Sequence, residues 1–410
     1  MNSAPTMPTL TLTPARDRAI AHALLMLWTI WAIFWLWHLW PADLAAVYIA
    51  GWLWHTGHAD LIYAAPPGFF GGPAQSWLPV IANLGGGAEE TTFAYVYPPL
   101  WAVLTAPLTG VLGLPGFSNL VGLVQMPLLA GSVLLAARLF RPASFPLAAW
   151  SLVGCAILTF SLQSIIAIGH NQPSITVMFL VLLSFERLSR GHEASAGAAL
   201  ALAAAIKLTP AAFIVIFLVE RRGRALVAFA LTGAVLAVAS IALAGWPLHR
   251  AFLDSLAVVK GAGLLSVVNT SLISALISAA STLGFGAAFD VTAKNVVLHG
   301  VPGWIGLTLL MLAGAYFAVL LRRLRGRDPQ EARAMMVLAV SILIPLFGPL
   351  GWLHYYLRPL VLRPGLLVRL PARPGWVLAG AVTLLSLESL IAVISELPWS
   401  AAIYTWLSCL

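Results

Sequence analysis

Apolar runs of about 20 residues recur from one end of the chain to the other, separated by short polar breaks. As a helix, a run of that length crosses a hydrocarbon core of about 30 Å. Lipid offers backbone amides no water to bond, so such runs must satisfy themselves as helices. A membrane β-barrel would need short alternating segments, and stretches 198–205 and 226–243 do not alternate. The pattern predicts spans at 19–40, 95–113, 118–137, 144–168, 173–188, 195–219, 225–245, 264–287, 302–321, 334–350, 353–370 and 376–396. The expected fold is an all-α polytopic membrane protein of about ten to twelve helices, some short, broken or re-entrant. No fixed-period repeat is visible, and residues 1–410 read as one membrane domain, with 1–18 as a cytoplasmic tail.

Composition agrees: 60% of the 410 residues are hydrophobic and 9% charged, against roughly a quarter charged in a soluble domain. The net charge of +8 does not point to nucleic acid. The arginines sit in clusters between apolar runs: Arg138/Arg141, Arg187/Arg190, Arg221/Arg222/Arg224 and Arg322/Arg323/Arg325/Arg327. The positive-inside rule places such clusters on cytoplasmic loops. Cys155 and Cys409 lie far apart in apolar surroundings and suggest no disulfide framework. The first run follows Arg16 and Arg18 but is too long and Trp-rich for a signal peptide, so it reads as a retained anchor.

No Lys or Arg occurs between Arg18 and Arg138, which makes the first loop, 41–94, exoplasmic. Within it, 43–57 is aromatic-rich and reads as an amphipathic helix along the membrane surface, with 68–73 and 85–87 as turns. Further along, the charge rule conflicts with the spans. If every run crossed fully, Arg138/Arg141 and Arg187/Arg190 would face outside. Some run must turn back partway, and 195–219 is a candidate because Lys207-Leu208-Thr209-Pro210 interrupts it.

Polar residues inside apolar runs are costly and mark candidate chemistry. Asp43 stands at the mouth of the first helix, where partial desolvation suits a general base. Gly169-His170-Asn171-Gln172-Pro173 is a polar break between two spans, open to reading as a plain loop. Lys207 is a lone ammonium in a long apolar stretch; it must snorkel, pair, or line a cavity for an anion. Asn269-Thr270-Ser271 follows a polar loop, and Trp352-Leu353-His354-Tyr355-Tyr356 precedes Arg358, a setting that fits a phosphate or an aromatic belt. His55 and His58 near Asp60 have only loose metal spacing. No Asp-x-Asp motif and no phosphate loop ending in Lys-Ser/Thr occurs, so neither a nucleotide-sugar nor an ATPase site is suggested.

In order along the chain, these pieces resemble glycosyltransferase family 87. The resemblance rests on Asp43-Leu-Ala-Ala-Val-Tyr48, Gly51 and Leu61-Ile-Tyr63, then Tyr95-Val-Tyr97-Pro98-Pro99-Leu100. It continues through Gly169-His-Asn-Gln172, Gly197 to Pro210 with Lys207, Asn269-Thr-Ser271-Leu272 and Trp352-Leu-His354-Tyr355. The sequence departs from the family at Thr270 and in the order of the His170 break. The resemblance implies a GT-C architecture in a bacterial inner (plasma) membrane. It also implies inverting transfer of a mannose- or arabinose-type sugar from a polyprenyl-phosphate donor to a glycolipid or glycan acceptor, on the exoplasmic side. No cofactor and no metal are implied. Asp43 would be the base, Lys207, His354 and His170 would serve the phosphate, and Tyr48, Tyr97, Asn171, Gln172, Asn269, Tyr355 and Arg358 would line the substrate site. A transporter or lipid flippase is the main competing class, although paired broken helices in the two halves are not seen. A scaffold within an envelope-assembly complex is the third.

Overall fold

The computed structural model describes residues 13–65, 72–85, 92–266, 268–283, 295–384 and 386. Among the described residues the regular structure is helical apart from one pair of strands. The helices are α1 (Pro14–Leu36), α2 (Ala42–His55), α3 (Leu78–Asn83), α4 (Pro99–Thr109), α5 (Leu114–Phe140), α6 (Leu147–Phe160), α7 (Leu162–Gly169), α8 (Ser174–Ser189) and α9 (Glu193–Ile206). Then follow α10 (Ile214–Val219), α11 (Gly223–Lys260), α12 (Leu272–Thr282), α13 (Gly303–Leu324), α14 (Pro329–Phe347), α15 (Leu357–Leu367) and α16 (Ala372–Leu384). Strands β1 (Ala262–Ser266) and β2 (Asn295–His299) pair antiparallel, Ala262 opposite His299.

One end of the molecule collects the arginines. Asp17 in the first turn of α1 accepts the Leu147 and Ala148 amides at 2.8 Å, so α1 and α6 start side by side. Arg138, Arg187 and Arg190 all reach the buried Glu186 carboxylate, at 3.2, 3.5 and 2.7 Å. Arg222 bridges Glu193 and Glu220, and Arg333 from the start of α14 meets Glu220 at 2.6 Å and Ser189 at 3.0 Å. Gln330 donates to the Arg138 carbonyl and Arg369 to that of Phe140. The C-terminal ends of α5, α8, α10 and α15 thus share this end with the starts of α1, α6, α9, α11 and α14.

This arrangement removes the conflict in the charge rule. Residues 193 and 220 lie at the same end, so the run 195–219 leaves that end and returns to it. Its rising limb α9 has 14 residues, about 21 Å, too short for a full crossing. Lys207 at its tip takes an extended backbone, φ −149° and ψ 128°, and Pro210 opens the short 3-10 turn that leads back. Likewise α7 and α8 meet at a bend of 117°. The run expected at 95–113 is also not a span. It contains α4, whose 11 residues cover about 17 Å and pack along α2.

Among the described residues five helices are long and apolar enough to cross a membrane: α1, α5, α11, α13 and α14. Counting the bent α7–α8 pair makes six. Several other expected runs hold shorter apolar helices, α6 and α9 among them, in keeping with the short and broken helices expected. Two further expectations need correcting. The segment 43–57 is the helix α2, but ten of its fourteen residues are buried, so it is packed into the protein rather than laid half-exposed on its surface. The run 264–287 begins as β1 instead of a span. Asn269 donates to the Leu264 carbonyl at 2.6 Å and to Ser274 at 2.9 Å, side-chain bonds that compete with helix formation. The turns expected at 68–73 and 85–87 fall mostly outside the described residues, as do Glu89, Glu90 and the last part of the run 376–396.

Two apolar cores result. The larger joins α1, α5, α6, α8 and α9 to α14 and α15 around Trp150, Phe185 and Phe217. A second surrounds α2, with Trp77, Tyr95 and Phe117. Helix α1, 23 residues and about 35 Å long, carries the chain from the arginine end to the other. There Asp43, His170, Lys207 and His354 follow α1, α7, α9 and α14 in turn.

Candidate active site

Each of these four residues sits where a helix ends or begins. Asp43 lies in the first turn of α2, just after Pro41, where the helix dipole favours a carboxylate. His170 caps α7. The next residue, Asn171, has φ +48°, a conformation Asn tolerates better than most residues. Its amide is fully buried and donates to the Ser118 carbonyl at 2.9 Å and hydroxyl at 3.1 Å, while Gln125 donates to its oxygen at 3.3 Å. The corner is thereby fixed to α5. It presents His170 to Asp43, with Nδ1 2.9 Å from Oδ2.

A polar chain leads from this corner to Lys207. Tyr97 and Ser174 both donate to Gln172 Oε1, at 3.5 and 3.3 Å, and Lys207 Nζ donates to the Ser174 hydroxyl at 3.1 Å. The ammonium also lies 4.5 Å from the Tyr355 ring centre and 5.7 Å from that of Tyr97. Such contacts stabilise a cation without neutralising it. Burial holds the Tyr97 hydroxyl well above the usual phenol range, and the Asp43 carboxylate pushes the same way, so Tyr97 remains a donor.

His354 belongs to a short turn, 353–356, between α14 and α15. Its ring stands edge-on to Tyr355 at 4.7 Å. The side chain is buried, and its Nε2 has no partner among the described residues. Burial holds the imidazole well below its usual range, helped by the nearby Lys207 and His170, so His354 is neutral. Arg358, one turn on, stacks over Phe213 at 4.8 Å, touches Ser341 at 3.4 Å and leaves its Nε without a partner among the described residues. A narrow pocket opens between Ser174, His354, Tyr355 and Arg358, walled by Ala167 and Met178. A second shares Tyr355 and Arg358 and reaches Pro210 and Ser341.

The structure therefore brings together Asp43, Tyr97, His170, Gln172, Lys207, His354, Tyr355 and Arg358. It gives three other expected site residues bonds to the scaffold. The Tyr48 hydroxyl donates to the Leu112 carbonyl at 2.8 Å, with its ring against Phe117. Asn171 builds the corner. Asn269 accepts the Gly351 amide at 2.6 Å, and Tyr356 donates to the Thr270 carbonyl at 2.7 Å, so the Asn269 turn holds the loop that carries His354. Ser174, which links Lys207 to Gln172, escaped the reading of the sequence; its signal was a hydroxyl directly after the Gln-Pro break. The His58 ring bonds Thr56 of its own loop, and among the described residues no group of three His, Cys, Asp or Glu could hold a metal.

An acid–base pair, two cations with no carboxylate partner among the described residues, and neutral donors thus lie close together, and the His354, Tyr355 and Arg358 side of the group lines an apolar-walled pocket. That set suits removal of a hydroxyl proton beside a departing anion. Comparison with known proteins points the same way. The model of glycosyltransferase family 87 matches residues 95–349, a stretch holding Tyr97, His170 and Lys207. The polyprenol-phosphate-mannose-dependent alpha-(1-2)-phosphatidylinositol mannoside mannosyltransferase of Mycobacterium tuberculosis is 28% identical, over 72% of this chain and 68% of its own length. No solved structure matches the chain. With more than half of its length matched by the family model, the chain belongs to glycosyltransferase family 87 and is a polytopic membrane glycosyltransferase.

Proposed function

We propose that the protein moves a sugar, of mannose type, from a polyprenyl-phosphate donor to a lipid-linked or envelope glycan acceptor. The reaction takes place at the exoplasmic face of a bacterial inner membrane and inverts the anomeric carbon. Asp43 removes the proton from the acceptor hydroxyl while that oxygen attacks the anomeric carbon. The bond from that carbon to the phosphate oxygen breaks, and its electron pair leaves with the polyprenyl phosphate. Lys207 and Arg358 offset the charge that develops there, and neutral His354 donates or accepts a hydrogen bond beside it. Tyr97, Gln172 and Tyr355 hold the sugar. The mannose preference and the lipid-linked acceptor are carried from the name of the mycobacterial relative. The orientation follows from the arginine-rich end, which the positive-inside rule assigns to the cytoplasm.

The observation that carries this reading is the meeting of Asp43 with the Lys207–His354 cluster, from segments distant in sequence, at the end opposite the arginines. Membranes containing the protein, given polyprenyl-phosphate mannose labelled in the sugar, should yield a labelled glycolipid. Asp43→Asn should lower transfer by about 10²–10⁴-fold with donor binding retained, while Asp60→Asn stays active. Normal transfer by Asp43→Asn would rule out the base, and movement of donor lipid without transfer would favour a flippase.

A further inference from the structure

His170 touches Asp43 rather than Lys207. A ring nitrogen 2.9 Å from a carboxylate oxygen must have a proton between them, so Nδ1 carries the hydrogen and Oδ2 accepts it. The pair is held from three sides. The Leu44 amide donates to the His170 carbonyl at 3.3 Å, tying the corner to the first turn of α2. Buried Asn171, in its left-handed conformation, ties the same corner to Ser118 and Gln125 of α5. Phe93 lies along the imidazole at 5.9 Å, with the ring planes 34° apart. A carboxylate with Oδ2 engaged in this way cannot turn freely, and Oδ1 is the oxygen left for another partner.

We infer that His170 is a positioning residue for the base and not a ligand of the donor phosphate, an inference that rests on the role proposed for Asp43. Its Nδ1–H holds Oδ2 so that Oδ1 faces the acceptor hydroxyl. In the transfer step the hydroxyl proton passes to Oδ1, the new bond to the anomeric carbon forms, and the phosphate departs with the electrons of the old one. His170 keeps its own proton throughout. The arrangement matters because misplacing a reacting group by about 1 Å can cost 10²-fold in rate.

Three substitutions separate this role from its rivals. In His170→Asn the amide N–H lies where Nδ1–H was, without a titratable group. His170→Gln places its amide where Nε2 was, and His170→Ala has no donor. With the labelled polyprenyl-phosphate mannose assay, kcat should fall about 10²-fold in His170→Ala and His170→Gln with the donor KM unchanged, and His170→Asn should recover most of it. The half-exposed site accepts these changes without leaving a cavity, and matched unfolding temperatures in detergent check that. A raised donor KM with kcat preserved would make His170 a phosphate ligand and overturn the inference. An Asn variant as slow as the Ala variant would make it a proton carrier, which overturns it equally. Asp43→Asn is measured alongside. If that variant is active, the base itself is misassigned; if it is dead while His170→Ala is normal, this inference alone fails.

Discussion

Lys207 is held by one hydroxyl and two aromatic faces, and no carboxylate among the described residues lies within ion-pair distance of it. A cation so placed is costly at membrane depth unless an anion completes its surroundings. Removing it should therefore harm activity far more than folding. Lys207→Met should lose roughly 2–4 kcal/mol of transition-state stabilisation, read as kcat/KM for the labelled donor, while the unfolding temperature in detergent holds or rises. Unchanged transfer would mean that the ammonium only snorkels. At this scale the sequence was most informative at Lys207, where a lone charge breaks an apolar run; Asp43 and His354 were marked mainly by the family resemblance. It was poorer for Tyr48, Asn171 and Asn269. A buried amide or hydroxyl looks the same in sequence whether its partner is a sugar or a main-chain carbonyl, and here their bonds in the fold go to the scaffold.

What aims Lys207 is the packing of α9. At Gly197 the helix lies so close to α11 that an added Cβ would stand 2.1 Å from the Ala225 carbonyl oxygen and 2.8 Å from the Phe229 nitrogen. Both obstacles are backbone, so no side-chain rotation relieves them. Gly197→Ala must push the helices apart, at a cost of about 1–3 kcal/mol, and tilt the limb whose tip is Lys207. The expected result is a lower unfolding temperature together with weaker transfer. Gly233→Ala, on α11 with open space around the new methyl, should change neither. A Gly197→Ala protein with full activity and wild-type stability would show that the limb adjusts freely. The broken limb was legible beforehand, since a lone lysine followed three residues later by a proline breaks an apolar helix. The strand β1 was not. Apolar content alone made 264–287 resemble a span, and only the bonds of Asn269 to Leu264 and Ser274 explain why the chain turns there.

Taken whole, the molecule separates its charges: the arginine–glutamate pairs at one end, and at the other the site, where Lys207 and Arg358 have no carboxylate partner among the described residues. The separation depends on re-entrant paths. Were the run 95–113 a full crossing, Arg187 and Arg190 would lie on the side opposite Arg16 and Arg18, and were 195–219 one, Arg222 could not meet Glu193. The arrangement therefore makes a labelling pattern that a simple count of spans does not. In a background with Cys155→Ser and Cys409→Ser, single variants Gln75→Cys, His192→Cys and Arg325→Cys sample three loops. A membrane-impermeant thiol reagent added to intact cells should modify position 75 only. Positions 192 and 325 should react together once the membrane is opened. Reaction of 192 from outside, with 325 protected, would mean that the chain between them crosses an odd number of times and would undo the re-entrant path. Reaction of both from outside, with 75 protected, would keep the path but invert the protein, and would move the site to the cytoplasmic face. The two failures differ in consequence: the first dismantles the geometry around Lys207, whereas the second leaves it intact and changes only which pool of lipid-linked sugar it can reach.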